Sequence, residues 1–124
     1  MTRRRTGALA STLVLVLGGC GGHDRPVLSR ASFDVERGRA ALERFECGAC
    51  HVIPGVRGAE SFVGPPLDGF GRRVQLAGRF ANSPEVLVRW LLDPPAMKAD
   101  TAMPAVGVSE SDARDIAAYL YTLE

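Results

Sequence analysis

The sequence is poor in aromatic side chains, which make up 6% of its 124 residues, although glycine (14) and proline (8) are plentiful. Short chains bury a small share of their surface and depend on bulky side chains for a core. A core built from these side chains alone would be thin, so we expect something else to help fill it. The composition, 46% apolar and 23% charged, fits one folded domain and excludes disorder over the whole length.

An excess of charge of either sign is also missing, because the formal net charge is +1. Three of the fifteen basic residues are Arg3, Arg4 and Arg5, and residues 1–19 contain no acidic residue. The rest of the chain then has 12 basic and 14 acidic residues. No basic patch indicates nucleic acid as a partner, and strong electrostatic steering of a partner is not indicated either.

No apolar run is long enough to cross a membrane. The longest run, residues 8–17, has about ten residues, whereas a membrane-spanning helix needs roughly 20. A basic start followed by such a run is typical of a secretory signal, so we predict a signal peptide over residues 1–19 rather than a retained anchor. The next residue, Cys20, ends a Leu-Gly-Gly-Cys segment that resembles the lipobox of bacterial lipoproteins.

We therefore predict that Cys20 is lipidated and becomes the first residue of the exported protein. Acyl chains would hold it on a membrane, on the periplasmic side. Residues 20–32 are polar and contain glycine, which is typical of a flexible tether, and His23 within them is interpreted as a solvated residue. The alternative is that Cys20 only lies near an ordinary cleavage site.

The sequence Cys47-Gly48-Ala49-Cys50-His51 is a C-x-x-C-H motif, which indicates covalent attachment of haem c. Two thiols at this spacing can reach the two vinyl groups of a porphyrin, and the adjacent histidine can then present an imidazole nitrogen to the iron. A thioredoxin-like pair would need a βαβ context, and a structural zinc site would need four ligands. Three cysteines in the chain leave one thiol for lipid and two for haem.

The scarcity of histidine and methionine narrows the choice of residue for the second axial ligand of the haem iron. The domain has no histidine besides His51, so methionine is the expected ligand, from either Met97 or Met103. We favour Met103, because Pro104 after it fixes the backbone of an exposed loop. Met97 is interpreted as a packing residue. Ligation by His51 and Met103 would raise the reduction potential of the iron, which suits an electron carrier.

Apolar periodicity predicts three amphipathic helices, over residues 34–45 and 83–93 and from residue 109 onward. Their expected N-terminal caps are Asp34, Ser83 and Ser109. A glycine inside the first helix, Gly38, suggests that another element packs closely there. About 35 residues without a clear period separate the first two helices, and a loop of that length is expected to wrap something, namely the haem.

Residues 33–124 resemble the class I cytochrome c family. The resemblance rests on motifs in a fixed order: the helix with Gly38 and Leu42, residues 47–51, Gly64-Pro65-Pro66-Leu67, Leu91-Leu92-Asp93-Pro94, Met103-Pro104, and a last helix ending Ala118-Tyr119-Leu120. It implies an all-α fold, the small cytochrome c fold, with three main helices and long loops wrapped around one covalent haem.

The resemblance also implies roles for individual residues. The carbonyl of Pro65 would accept a hydrogen bond from the iron-ligating histidine, Arg72 or Arg73 would meet a haem propionate, and Trp90 would lie near the methionine side of the haem. Gly38 and Tyr119 would belong to the crossing of the first and last helices. One more residue than usual separates Gly38 from Cys47, so we expect an irregular turn within the first helix.

These features predict a one-electron carrier that has no catalytic residues, is not an enzyme and takes no small-molecule substrate. Residues 78–94 resemble the cytochrome c domain fused to subunit II of some haem–copper oxidases. The expected partners are therefore redox proteins, a terminal oxidase or a quinol-oxidising complex of a respiratory chain. The alternative is a fixed electron-transfer subunit of a periplasmic dehydrogenase or sulfur-oxidising complex.

Overall fold

The computed structural model describes residues 33–124. The predicted signal peptide, the lipidation of Cys20 and the tether with His23 lie outside the described residues. Within residues 33–124, no helix has the length and apolar character needed to span a membrane.

Helices dominate the described part of the chain, as predicted for an all-α protein of the cytochrome c type. The four α-helices are α1 (Val35–Arg44), α2 (Pro84–Leu92), α3 (Pro94–Met97) and α4 (Glu110–Leu120). Short 3-10 turns cover Cys47–Ala49 and Phe70–Arg72, and a small antiparallel hairpin joins β1 (Gln75–Leu76) to β2 (Phe80–Ala81). The hairpin and the one-turn helix α3 were not predicted.

The three expected N-terminal caps are present. The side chains of Asp34, Ser83 and Ser109 each accept a hydrogen bond from a backbone N–H of the first turn of α1, α2 and α4, respectively. Such caps satisfy backbone donors that the helix itself leaves without a partner. Asp93 caps α3 in the same way. The prolines after Asp93 therefore end α2 and also begin a new helical turn.

The helices α1 and α4 cross at Gly38, where the sequence suggested close packing. A Cβ atom at Gly38 would lie 2.0 Å from the backbone oxygen of Asp115 and 3.1 Å from the nitrogen of Ile116. The two backbones are therefore in contact at this point. Tyr119, one turn further along α4, donates its hydroxyl proton to the carbonyl oxygen of Pro54, at 2.6 Å.

The irregular turn expected within the first helix is absent, because α1 is a continuous α-helix and the extra residue is accommodated after it, at Glu46. Helix α1 ends at Arg44, Phe45 is its C-terminal cap, and Glu46 has a left-handed backbone with a φ of 55°. Glycine usually occupies this position after a helix, because it has no Cβ to clash there. The left-handed residue redirects the chain from α1 into the turn at Cys47–Ala49.

An ionic cluster closes the start of the α1–α4 crossing. The Asp115 carboxylate is nearly buried and accepts hydrogen bonds from Arg37 Nε, at 2.8 Å, and from the backbone N–H of Asp34, at 2.9 Å. The hydrogen bond from Arg37 is the main cause that lowers the pKa of Asp115, and the bond from Asp34 acts in the same direction.

We expect this cluster to make the stability depend on pH at the acid end. Because the pKa of Asp115 is lower in the folded than in the unfolded state, its contribution is complete above the unfolded value of about 3.9 and disappears as the pH falls through the folded value. Between about pH 4 and pH 2, the melting temperature should therefore fall less steeply for Asp115→Asn than for the wild type. Asp68→Asn, which changes an exposed carboxylate, is the control, and equal slopes for all three proteins would contradict the prediction.

Candidate haem site

The two cysteines of the C-x-x-C-H motif lie on a tight turn directly after α1. Within this turn the N–H groups of Cys50 and His51 both donate to the carbonyl oxygen of Cys47, at 3.2 and 3.0 Å. Both cysteine thiols are free and half-buried. A Cβ atom at Gly48 would lie 2.7 Å from the Cα of Ala59, so a glycine between the cysteines lets the following loop pack against the turn.

Burial raises the pKa of the Cys47 thiol. Disulfide oxidoreductases lower the pKa of the reactive cysteine of a C-x-x-C motif, because the thiolate is the nucleophile. The environment of Cys47 acts in the opposite direction and does not favour that chemistry.

The imidazole of His51 is fixed by the loop that contains Pro65. Its Nδ1 lies 2.8 Å from the carbonyl oxygen of Pro65. A carbonyl oxygen can only accept, so Nδ1 carries a proton, and in the neutral ring Nε2 is the nitrogen that has the lone pair. This is the arrangement of a metal-binding histidine, whose second nitrogen is held by a hydrogen bond that sets the tautomer and the ring orientation.

Gly64 is in direct contact with the same imidazole. A Cβ atom at this position would lie 2.4 Å from Cε1 and 2.7 Å from Nδ1 of His51. The N–H of Gly64 donates to the carbonyl of Cys50 at 2.6 Å, and the N–H of Leu67 donates to Val52 at 2.8 Å. These two bonds hold the loop alongside the motif. Sequence reasoning used Gly64 as part of a family motif but did not identify it as a site residue.

Of the two candidate arginines, Arg73 is the one that contacts this loop. Its guanidinium donates to the carbonyls of Pro66, at 2.5 Å, and Asp68, at 2.9 Å, whereas Arg72 is exposed. The structure therefore places Arg73, rather than Arg72, next to the segment that holds His51. Asn82, which the sequence analysis missed, ties the backbone of Arg73 in place by donating to its carbonyl at 3.0 Å.

Both methionines pack against the hydrophobic core and both are half-buried. Met97 is the last residue of α3, whereas Met103 lies on the extended segment between α3 and α4. The backbone N–H of Met103 donates to the Thr101 hydroxyl at 3.2 Å, which fixes this segment. Trp90 is buried on α2, and its ring lies 6.2 Å from that of Phe80 on β2.

The residues present fit a covalently attached haem. Two free thiols and an imidazole with an available Nε2 lie on one short turn, and glycine at position 64 leaves room for the ring. Half-buried apolar side chains from several elements pack against the hydrophobic core: Phe45, Leu67, Phe80, Val86, Leu92, Met97 and Met103. Among residues 33–124, no group of three or more histidine, cysteine or acidic side chains could hold a bare metal ion.

The fold and this site together define a class, the small helical proteins that carry a haem on a C-x-x-C-H motif. Comparison with known proteins gives the family. A sequence profile described as Cytochrome c matches residues 35–124. The chain therefore belongs to the cytochrome c family, whose members transfer electrons with a haem c bound covalently through cysteine.

One similar protein of named function is a cytochrome c oxidase subunit 2 from Alkalihalophilus pseudofirmus (strain ATCC BAA-2126 / JCM 17055 / OF4). It is 36% identical to this chain over 89 residues, which are 71% of this chain and 25% of the relative. The chain thus spans about a quarter of the length of this relative.

Proposed function

We propose that this cytochrome c is a membrane-tethered carrier of single electrons, with one haem c attached through Cys47 and Cys50 and ligated by His51 and Met103. The observation that carries the proposal is the 2.8 Å hydrogen bond between His51 and the carbonyl of Pro65, on the residue that directly follows the two thiols. When bound, the haem supplies one-electron redox chemistry.

The residues of the chain hold and tune that group. Pro65 fixes the tautomer of His51, so that Nε2 is the donor, and makes the imidazole a better ligand. The thioether of Met103 is a soft ligand that favours ferrous iron and raises the reduction potential. Arg73 is the better placed of the two arginines to meet a haem propionate, because its guanidinium already lies over the loop of Pro66 and Asp68. Trp90 forms part of the packing on the methionine side.

The proposed acceptor is a terminal oxidase in a respiratory chain. The similarity to an oxidase subunit 2 supports this choice. The proposed tether is the lipid on Cys20, with residues 20–32 as the spacer, and it is supported by the Leu-Gly-Gly-Cys segment after a short apolar run. A tether would raise the effective concentration of the carrier near partners in the same membrane.

Substitution of the methionines tests the ligand set. Holo protein from a host that attaches haem should show a low-spin spectrum with the charge-transfer band of sulfur–iron ligation in the oxidised state. Met103→Ala should lose this band completely while the haem stays covalently attached on a haem-stained gel. Met97→Ala is the matched control and should keep the band.

Each contrary result has a defined meaning. Loss of the band in Met97→Ala alone would move the ligand to Met97. A colourless wild type with the thiols of Cys47 and Cys50 free would overturn the proposal as a whole.

A further inference from the structure

The segments that form the haem site contain no aspartate, glutamate, lysine or arginine. Aspartate, glutamate, lysine and arginine are all missing from residues 47–56, which contain the C-x-x-C-H motif, from residues 61–67, which hold the imidazole, and from residues 101–109, around Met103. Helix α1, by contrast, has five charged residues among ten, and α4 has four among eleven. These three segments therefore contribute none of the charged side chains that flank them or lie on the helices.

Two of these uncharged segments expose large apolar side chains. Phe62 is 78% exposed and Val63 is 80% exposed, and they directly precede Gly64 and Pro65, which contact His51. On the other segment, Val106 is 44% exposed and follows Met103 by three residues. Single exposed apolar residues are common on protein surfaces. Here, however, such residues lie close in sequence to Met103 and to the loop that contacts His51, and their own segments contain no charge.

We infer that the redox partner docks over the exposed apolar side chains of Phe62, Val63 and Val106, and that it presents an uncharged apolar surface of its own. The inference rests on the proposed function, because electron transfer requires the partner to approach the haem closely. A charged partner surface would lose hydration against these segments without gaining an ion pair. An apolar partner surface gains by burying Phe62, since aromatic side chains are the usual anchors of interfaces.

The charge balance of the exported chain agrees with this mode of binding. With 12 basic and 14 acidic residues after residue 19, the field of the whole protein is too weak to steer a partner strongly. Electrostatic steering would raise the association rate at low salt and lose that gain at high salt. Docking through apolar contact should therefore be nearly independent of ionic strength.

The test uses the holo protein, reduced beforehand, and the detergent-solubilised terminal oxidase of the same organism. For the wild type, kcat/KM should change less than about twofold between about 10 and 200 mM salt. Phe62→Ser should lower kcat/KM about tenfold, through a higher KM with kcat unchanged. The visible spectrum and reduction potential of the variant should match those of the wild type, which a change in the haem site itself would not allow.

Val63→Ser and Val74→Ser form a matched pair of variants. Both valines are at least 80% exposed, but Val74 follows two arginines and lies outside the uncharged segments. Only Val63→Ser should raise KM. Equal effects of the two variants, or a strong salt dependence of the wild type with normal turnover, would overturn the docking surface and leave the proposed function intact.

Two further outcomes would each have a different meaning. A wild type that dimerises through Phe62 in sedimentation experiments, with oxidase kinetics indifferent to Phe62→Ser, would assign the surface to a second copy of the chain and overturn the inference. A wild type that ferricyanide oxidises but the oxidase does not would overturn the proposed acceptor, and the docking surface with it.

Discussion

Gly38→Ala is expected to lower the free energy of unfolding by at least about 2 kcal/mol, which corresponds to a fall of roughly 10 °C in melting temperature for a domain of this size. The new Cβ would lie 2.0 Å from the backbone oxygen of Asp115 and 2.6 Å from its carbonyl carbon. Both atoms belong to the backbone of α4 and cannot rotate away as the end of a side chain could. Helices α1 and α4 would have to separate along their contact, which opens packing around the buried Ala113 and Ile116.

The size of this effect stands out because the same substitution normally stabilises a helix. Alanine exceeds glycine by about 1 kcal/mol in helix propensity, so the steric penalty has to exceed that gain. Ala40→Gly, at an exposed position of α1, is the control and should lose only about 1 kcal/mol. Urea unfolding of the holo proteins measures both. An unchanged or raised stability of Gly38→Ala would contradict the close helix contact.

The helices were predictable from the sequence because their signals are local. Asp34, Ser83 and Ser109 precede apolar stripes of helical period, and each caps the helix that follows. The close approach of another element at Gly38 was also predictable from a single residue, because a glycine inside an otherwise favourable helical pattern usually has a packing reason. A count of residues indicated one extra residue before Cys47, but it did not show that this residue is accommodated after the helix, where Glu46 has a left-handed backbone.

The contacts missed by sequence reasoning depend on how distant segments meet. Arg72 and Arg73 are adjacent and chemically identical, so no pattern distinguishes them. The 3-10 turn at Phe70–Arg72 and the bond from Asn82 decide which guanidinium reaches the carbonyls of Pro66 and Asp68. The packing role of Gly48 could not be predicted for the same reason. It depends on the contact with Ala59, which lies in a loop eleven residues further along the chain.

The site-forming loop can nevertheless be understood from its composition. Between α1 and α2 it contributes Ile53, Val56, Ala59, Phe70 and Leu76 to the core. A long loop without periodic structure is stable here because these side chains are buried and because its backbone bonds to the C-x-x-C-H turn. The thin core expected from the scarcity of aromatics is thus built partly from this loop.

Gly64→Ala is the second substitution with a large expected effect, and it acts on the ligand itself. The backbone of Gly64 is not left-handed, so alanine is tolerated by the chain, but its Cβ would lie 2.4 Å from Cε1 and 3.0 Å from Nε2 of the His51 ring. Ordinary contact requires the ring to move by about 1 Å. Such a shift breaks or lengthens the 2.8 Å bond to Pro65 and displaces Nε2 from its position as ligand. We expect a mixture of spin states in the visible spectrum and a reduction potential clearly different from that of the wild type.

The displacement of His51 has to be distinguished from a general loss of stability, and Gly58→Ala is the control variant for this purpose. Gly58 has a φ of 72°, and a Cβ there meets nothing within 4 Å. Gly58→Ala should therefore lose about 1 kcal/mol of stability through backbone strain and keep the wild-type spectrum and potential. If Gly64→Ala also kept both while the protein was merely less stable, Gly64 would have only a packing role. If its spectrum changed while Gly58→Ala stayed normal, Gly64 would be a positioning residue that sets where His51 meets the iron.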